Sequence, residues 1–255
     1  MSARALVLTY HAVEPGPAPL CIDPELFRTH LDLIEASGVR TIPLDALAEE
    51  LAEGGPRAPA LAITFDDGFA STAEVAAPLL AERGLPATVF CVAGHLGGAN
   101  DWPSQPRSCP RLRLASARAL SEWHASGLAL GCHGANHEPL AHVGDGRLRR
   151  EILDSREMLE QAVGAPVGWF AYPYGVAPAA ARVLVERAYA GACAGGNRAV
   201  GGGAARFLLP RVDAHYLRGP AHLRWVLEGG DFYLFLRRLG ARLRRVVRRD
   251  FVRGR

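Results

Sequence analysis

Leu61-Ala62-Ile63-Thr64-Phe65-Asp66-Asp67-Gly68 is an apolar, β-branched run that ends abruptly in two carboxylates and a glycine. Four to eight residues of this kind, bounded by a turn signal, read as a buried strand. The same pattern recurs along the chain. Strand-like runs fall at 5–10, 39–42, 60–65, 86–92, 128–132, 168–172, 189–193 and 207–212. Between them lie segments with apolar residues at helical spacing: 24–37, 70–83, 116–126, 145–163 and 177–187, four of which stop at Gly38, Gly84, Gly127 and Gly164. Alternation of this kind predicts βαβ units around a parallel sheet. Seven or eight such units, with no G-x-G-x-x-G after any strand, favour a distorted (β/α)7–8 barrel over an open doubly wound sheet.

A chain of 255 residues that is 49% hydrophobic can bury one sizeable core. The expected division is a barrel over 1–230 and an Arg-rich segment over 231–255. The net charge of +3 hides an asymmetry. Residues 237–255 hold nine Arg against one Asp, a local charge of +8, which leaves −5 for residues 1–236. All 29 basic residues are Arg, so a Schiff-base lysine is excluded. Cys21, Cys91, Cys109, Cys132 and Cys193 are odd in number and contain no C-x-x-C, which fits neither a disulfide framework nor a thiolate zinc site and suggests a reducing compartment. The N-terminal MSARALVLTYHAV lacks a long apolar region and a small-residue cleavage site, so the expected location is cytoplasmic.

In a parallel barrel, chemistry sits where strands end and loops begin. The polar residues there are His11, Asp66 with Asp67, His133, Tyr174 and Asp213. Side chains of adjacent residues diverge, so two neighbouring acids serve different tasks: one binds a metal, and the other is a base toward water. The bland alternative is a solvated Asp-Asp-Gly turn. His133-Gly134-Ala135-Asn136-His137 sets two imidazoles four apart, within reach of one divalent cation if the segment turns helically. One carboxylate and two imidazoles make a three-ligand hydrolytic site with open positions. That donor set suits zinc first, and admits cobalt, nickel, manganese or iron.

Three motifs in this order resemble the polysaccharide deacetylases with the NodB homology domain, carbohydrate esterase family four. They are Thr64-Phe65-Asp66-Asp67-Gly68, His133-Gly134-Ala135-Asn136-His137 and Phe170-Ala171-Tyr172-Pro173-Tyr174-Gly175. Leu8-Thr9-Tyr10-His11-Ala12-Val13 and Leu209-Pro210-Arg211-Val212-Asp213 look like a subgroup acting on poly-N-acetylglucosamine-like polymers. The resemblance covers roughly residues 5–213. It implies that Asp66 is the general base, that Asp67, His133 and His137 bind one divalent metal, and that the Tyr174 amide stabilises an oxyanion. It further implies attack of a metal-activated water on an N-acetylhexosamine-containing glycan, with release of acetate.

Two departures from the family pattern stand out. Many members carry an Arg two residues before the Pro-Tyr pair to orient the base, where this chain has Ala171; Arg211 is the candidate substitute, against a plain surface Arg at a strand end. Many members also have a Leu-x-His general-acid motif, absent after residue 213. His11 is the candidate acid, with Asp213 to hold its imidazolium. Two rival readings keep the site: an amidohydrolase for a small amide or imide, which needs a closed pocket, and an inactive glycan-binding barrel. Trp102 and Trp169 are candidates for stacking on a sugar.

The C-terminal FYLFLRRLGARLRRVVRRDFV of residues 232–252 sets Phe232, Phe235, Leu236, Leu239, Leu243, Val246 and Val247 at helical spacing among arginines. A basic amphipathic helix is expected, laid on an anionic membrane or docked on the barrel with a solvated basic face. No nucleic-acid motif accompanies it, and no nucleic-acid partner is expected.

Overall fold

In the computed structural model, which describes residues 4–106, 109–201 and 203–239, seven parallel strands run round a barrel. They are β1 (Ala5–Tyr10), β2 (Ala60–Phe65), β3 (Ala87–Cys91), β4 (Ala129–Cys132), β5 (Trp169–Ala171), β6 (Gly191–Ala194) and β7. The last is split into Leu209–Pro210 and Val212–Asp213 around Arg211. Each strand pairs with the next in sequence order. The split strand completes the ring: Leu209 and Pro210 pair with Cys193 and Ala194 of β6, and Val212 and Asp213 pair with Leu8 and Thr9 of β1. Seven strands therefore carry the barrel. The expected strand near 40 is a two-residue extension, Arg40–Thr41, beside the start of β2.

Side chains alternate across these strands, as the pleat requires. Ala5, Val7, Ala60, Ala62, Phe90, Trp169, Ala171, Cys193 and Leu209 point inward and form one cluster. Leu6, Leu8, Leu61, Ile63, Val89, Leu130, Phe170 and Val212 point outward and form the larger cluster beneath the helices. A seven-stranded barrel has little interior, and Phe90 and Trp169 fill most of it. Gly131 and Gly191 make the room. A Cβ on Gly131 would lie 2.4 Å from the Phe90 ring, and one on Gly191 would lie 2.5 Å from the Trp169 ring. The helix Leu44–Ala52, not anticipated from sequence, packs Leu44, Leu47, Ala48 and Leu51 against the same inner cluster at the end where the strands begin.

The other helices cover the outside: Pro24–Ala36, Ala77–Glu82, Ala117–Ala125, Ser155–Val163, Ala179–Ala188 and Pro220–Leu227. Two are preceded by widened turns of π geometry, Thr72–Ala76 and Arg150–Asp154. Pro24–Ala36 shows why such segments begin where they do: the Asp23 side chain caps it by accepting from Glu25 N–H, and Pro24 occupies its first turn. Residues 231–239 form a further helix, seated on the barrel by Leu234, which is 1% exposed. The expected helix over 232–252 is thus seen as far as 239, and the remainder lies outside the described residues. Among the described residues, no helix is long and apolar enough to cross a membrane.

Candidate active site

The alternation that fills the barrel also builds the site. Extending the inward parity of β1, β2, β4 and β7 past their apolar residues reaches His11, Asp66, His133, Arg211 and Asp213, all at the end where the strands finish. Sheet hydrogen bonding carries on into this layer, with Asp66 N–H donating to Tyr10 C=O at 2.9 Å and His133 N–H to Cys91 C=O at 2.8 Å. Asp67 has the opposite parity. It reaches the same space because its backbone is left-handed, with φ of 69°.

Asp66 is fully paired. Arg211 donates to it through both Nη atoms, at 2.5 and 2.7 Å, and also holds Thr9 Oγ1 at 3.1 Å. Burial opposes the charge on Asp66, and the Arg211 guanidinium outweighs it, holding the carboxyl well below the usual carboxylate range. Ala171 is buried and has no side-chain donor to offer Asp66, so the pairing falls to Arg211.

Asp67 is the opposite case. Its buried Oδ1 has no hydrogen-bond donor. It faces His137 Nε2 at 3.4 Å and His133 Nε2 at 3.7 Å. The ligating atoms of Asp67, His133 and His137 all lie within 4.8 Å of one another. Donors around 2.0–2.2 Å from a tetrahedral ion stand about 3.3–3.6 Å apart, close to the 3.4 and 3.7 Å that separate Asp67 Oδ1 from the two imidazoles. The imidazoles are prepared for it. His133 Nδ1 lies 2.7 Å from Ala171 C=O, which only accepts, so Nδ1 carries the proton and Nε2 presents its lone pair to the site. Burial pushes His137 well below the ordinary imidazole range and keeps it neutral, the form a metal needs. Its ring is gripped between Trp102 and Tyr174, each with its centroid 4.6 Å away.

The two histidines are not on a helix. The segment from His133 to His137 is a loop, with Gly134 and His137 at positive φ, and a buried acid shapes it. Glu151, 1% exposed, accepts from Asn136 N–H at 3.0 and 3.1 Å, from Asn136 Nδ2 at 2.8 Å and from Glu138 N–H at 3.4 Å. A Cβ on Gly134 would meet Glu151 Oε2 at 2.6 Å, so the close approach of carboxylate and loop needs glycine there. Glu151 was not anticipated. Its signal was available: an acid in the apolar row Leu148, Ile152, Ser155, Leu159 of a helix that buries that row.

Residues 53–190 match the family model for polysaccharide deacetylase. The chain belongs to the polysaccharide deacetylase family. The chain is 22% identical, over 174 residues and 68% of its length, to polysaccharide deacetylase YxkH of Bacillus subtilis (strain 168), of which it spans 57%. Its fold is that of IcaB from Ammonifex degensii, with a TM-score of 0.71 and 24% identity over 88% of this chain and 98% of that one. It is likewise that of Streptococcus pyogenes deacetylase PplD in complex with acetate, with a TM-score of 0.69 and 20% identity over 84% of this chain and 93% of the other.

A groove of about 390 Å³ opens over these residues, lined by His11, Asp66, Asp67, Tyr174, Arg211 and Tyr216 among others. Tyr174 stands at its rim, 47% exposed, with φ of 58° and its hydroxyl donating to Ser104 Oγ at 2.8 Å. His11 and Asp213 face the groove together. Burial works against a charge on His11, yet Asp213, then Asp67 and Asp66, raise its pKa above the ordinary imidazole value. The two do not form a direct ion pair: Asp213 Oδ1 accepts from His215 N–H at 2.8 Å, and its influence on His11 is through space.

Neither tryptophan offers a face to a sugar. Trp102 is 2% exposed and spends its ring on His137. Trp169 is 3% exposed inside the barrel, where its Nε1 donates to Asp45 Oδ1 at 2.7 Å. The loop carrying Trp102 nonetheless belongs to the site, since Pro106 and Cys109 line the groove.

Proposed function

We propose that this protein hydrolyses N-acetyl groups from an N-acetylhexosamine-containing glycan and releases acetate, with one divalent ion, zinc first among the candidates, held by Asp67, His133 and His137. The observation that carries the reading is the contrast between neighbouring carboxylates: Asp66 is closed by Arg211, while Asp67 Oδ1 has no donor and stands 3.4 and 3.7 Å from the Nε2 atoms of His137 and His133.

A divalent ion bound there supplies Lewis acidity, lowering the pKa of water and polarising the acetyl carbonyl. The protein does the rest. Asp66, kept ionised by Arg211, takes a proton from the attacking water. The water oxygen adds to the carbonyl carbon, and the Tyr174 N–H donates to the oxygen that becomes negative. As the carbon–nitrogen bond breaks, His11 protonates the amine, which leaves as a free amino sugar.

Arg211 removes the main reason to read the chain as an inactive barrel, since the side chain missing at Ala171 has a replacement on Asp66. The groove with Tyr174 at an exposed rim favours a glycan over a small amide, which prefers enclosure. The likeness to IcaB, and to PplD with acetate, supports the same direction.

The test measures metal content and acetate release from N-acetylglucosamine oligomers for the wild type and His133→Ala. Bound metal and acetate release, both lost in the variant, are expected. Metal retention without release from any N-acetylated glycan would remove the substrate assignment.

A further inference from the structure

Most of the large apolar side chains that the described residues leave exposed gather near the C-terminus: Trp225, Phe232, Phe235, Leu236 and Leu239, at 44–62% exposure. The last four sit at i, i+3, i+4 and i+7 of the helical residues 231–239 and make one outward stripe. The inner face is already used. Leu234 is in the main core, Tyr233 donates to Tyr216 C=O at 2.6 Å, and the Tyr233 ring stacks on His222. A helix docked on the barrel with a solvated basic face would hide its phenylalanines; this one docks by a different face and shows them.

The orientation of the helix adds to this. Asp231 pairs with Arg4 at 2.7 Å, at the end where β1 begins. Six residues later, Arg237 lies 4.5 Å over the ring of Tyr216, which lines the catalytic groove. The helix thus climbs from the closed end of the barrel toward the open one. The chain continues from there with Arg242, Arg244, Arg245, Arg248 and Arg249, and its last 19 residues carry a net charge of +8.

We infer that this surface binds an anionic phospholipid bilayer: the stripe of Phe232, Phe235, Leu236 and Leu239 enters the headgroup boundary, and the arginines that follow meet the lipid phosphates. The charge selects the partner. A second copy of the chain would bring two segments of +8 together, whereas an anionic leaflet supplies both the apolar layer and the counter-charge that this segment lacks. The lipid contact stands apart from the deacetylation reading. Its consequence, that the groove meets glycan held at a membrane surface, rests on that reading.

The experiment is co-sedimentation of the full chain with vesicles of phosphatidylcholine alone and with 30% phosphatidylglycerol, together with sedimentation velocity without lipid. The wild type is expected to bind the anionic vesicles at least tenfold more strongly than the neutral ones and to be monomeric without lipid. Phe232→Ser with Phe235→Ser, and separately Gln at the five arginines 242, 244, 245, 248 and 249, are each expected to lower that partition at least tenfold with an unchanged melting curve. Phe232 and Phe235 are exposed, and the melting curve checks the fold of each variant. Failure of the wild type to bind anionic vesicles overturns the inference. So does equal binding by the serine variant, which would mean adsorption by charge alone, and so does a wild-type dimer that the serine variant dissolves, which would assign the stripe to a second copy.

Discussion

The two halves of the site differ in how far the protein has completed them. Around Asp66, every strong interaction is made within the chain: two charge-assisted hydrogen bonds from Arg211 leave a carboxylate that is ionised and fixed. Around Asp67, interactions are withheld: its Oδ1 has no donor, and the Nε2 atoms of His137 and His133 stand 3.4 and 3.7 Å from it. One peptide bond separates the acids, and the backbone separates their roles: Asp66 still donates its N–H to Tyr10 C=O across the sheet, and Asp67 is left-handed. A base must be held in its charged form by the protein alone. A ligand must be left hungry. The difference is broken most severely by Asp67→Asn, which should abolish metal retention and with it acetate release down to background. Asp66→Asn should keep the metal and lose about 10²–10⁴-fold in kcat. Metal analysis beside the rate decides; a variant at Asp66 that loses metal would erase the division.

Glu151 tests whether the unfinished half is nonetheless preorganised. It positions the loop from His133 to His137 through three donors. Glu151→Gln keeps its size, but turns an N–H₂ toward groups that can only donate. Metal affinity is expected to fall about 10–100-fold, as for other residues that orient ligands. At saturating metal, kcat should return to near the wild-type value. A kcat that stays low with the site filled would mean that Glu151 acts on the base half as well.

How much of this was legible in the sequence depends on whether local order or tertiary contact decides. The barrel strands were legible because each is an apolar run bounded by turn residues, and the cluster of Asp67, His133 and His137 because the acid pair and His133 follow such runs and His137 comes four residues on. Arg211 was legible as a candidate from its position after the last strand; the parity of Leu209, Arg211 and Asp213 was a further signal, since it turns Arg211 inward with Asp66. The helix Leu44–Ala52 was overlooked because its nine residues begin after a proline with no side-chain cap, so the usual start signal is missing. The tryptophans were misjudged for another reason. Whether an indole faces sugar, His137 or the barrel axis is settled by the loop around Trp102 and by the space that Gly191 leaves for Trp169. Nothing within a few residues of either indole announces that choice.

Arg211→Lys probes the completed half more gently. Lysine keeps the charge but replaces a planar fork with a single point contact, so Asp66 is held less firmly in place and less firmly ionised. The sign follows from the direction of the native shift. Arg211 depresses the pKa of Asp66, the base works only when ionised, and weakening the pair raises that pKa. The acid limb of kcat/KM should therefore move to higher pH, with a plateau about tenfold lower and metal content unchanged. An unmoved acid limb would show that another group sets it.

The smallest effect is expected at the acid. Asp213 raises the pKa of His11 through space, against the burial that lowers it. His11 must be protonated to deliver its proton, so its raised pKa extends activity toward alkaline pH. Asp213→Asn removes the largest favourable charge on it and retains the oxygen that caps His215 N–H. The alkaline limb should shift to lower pH, while the plateau rate at lower pH stays within about twofold of wild type, because the acid there is protonated with or without its neighbour. His11→Gln supplies the control: if the alkaline limb belongs to His11, it disappears in that variant and Asp213→Asn no longer moves it. A limb that shifts equally in the presence and absence of His11 would assign the proton to another donor.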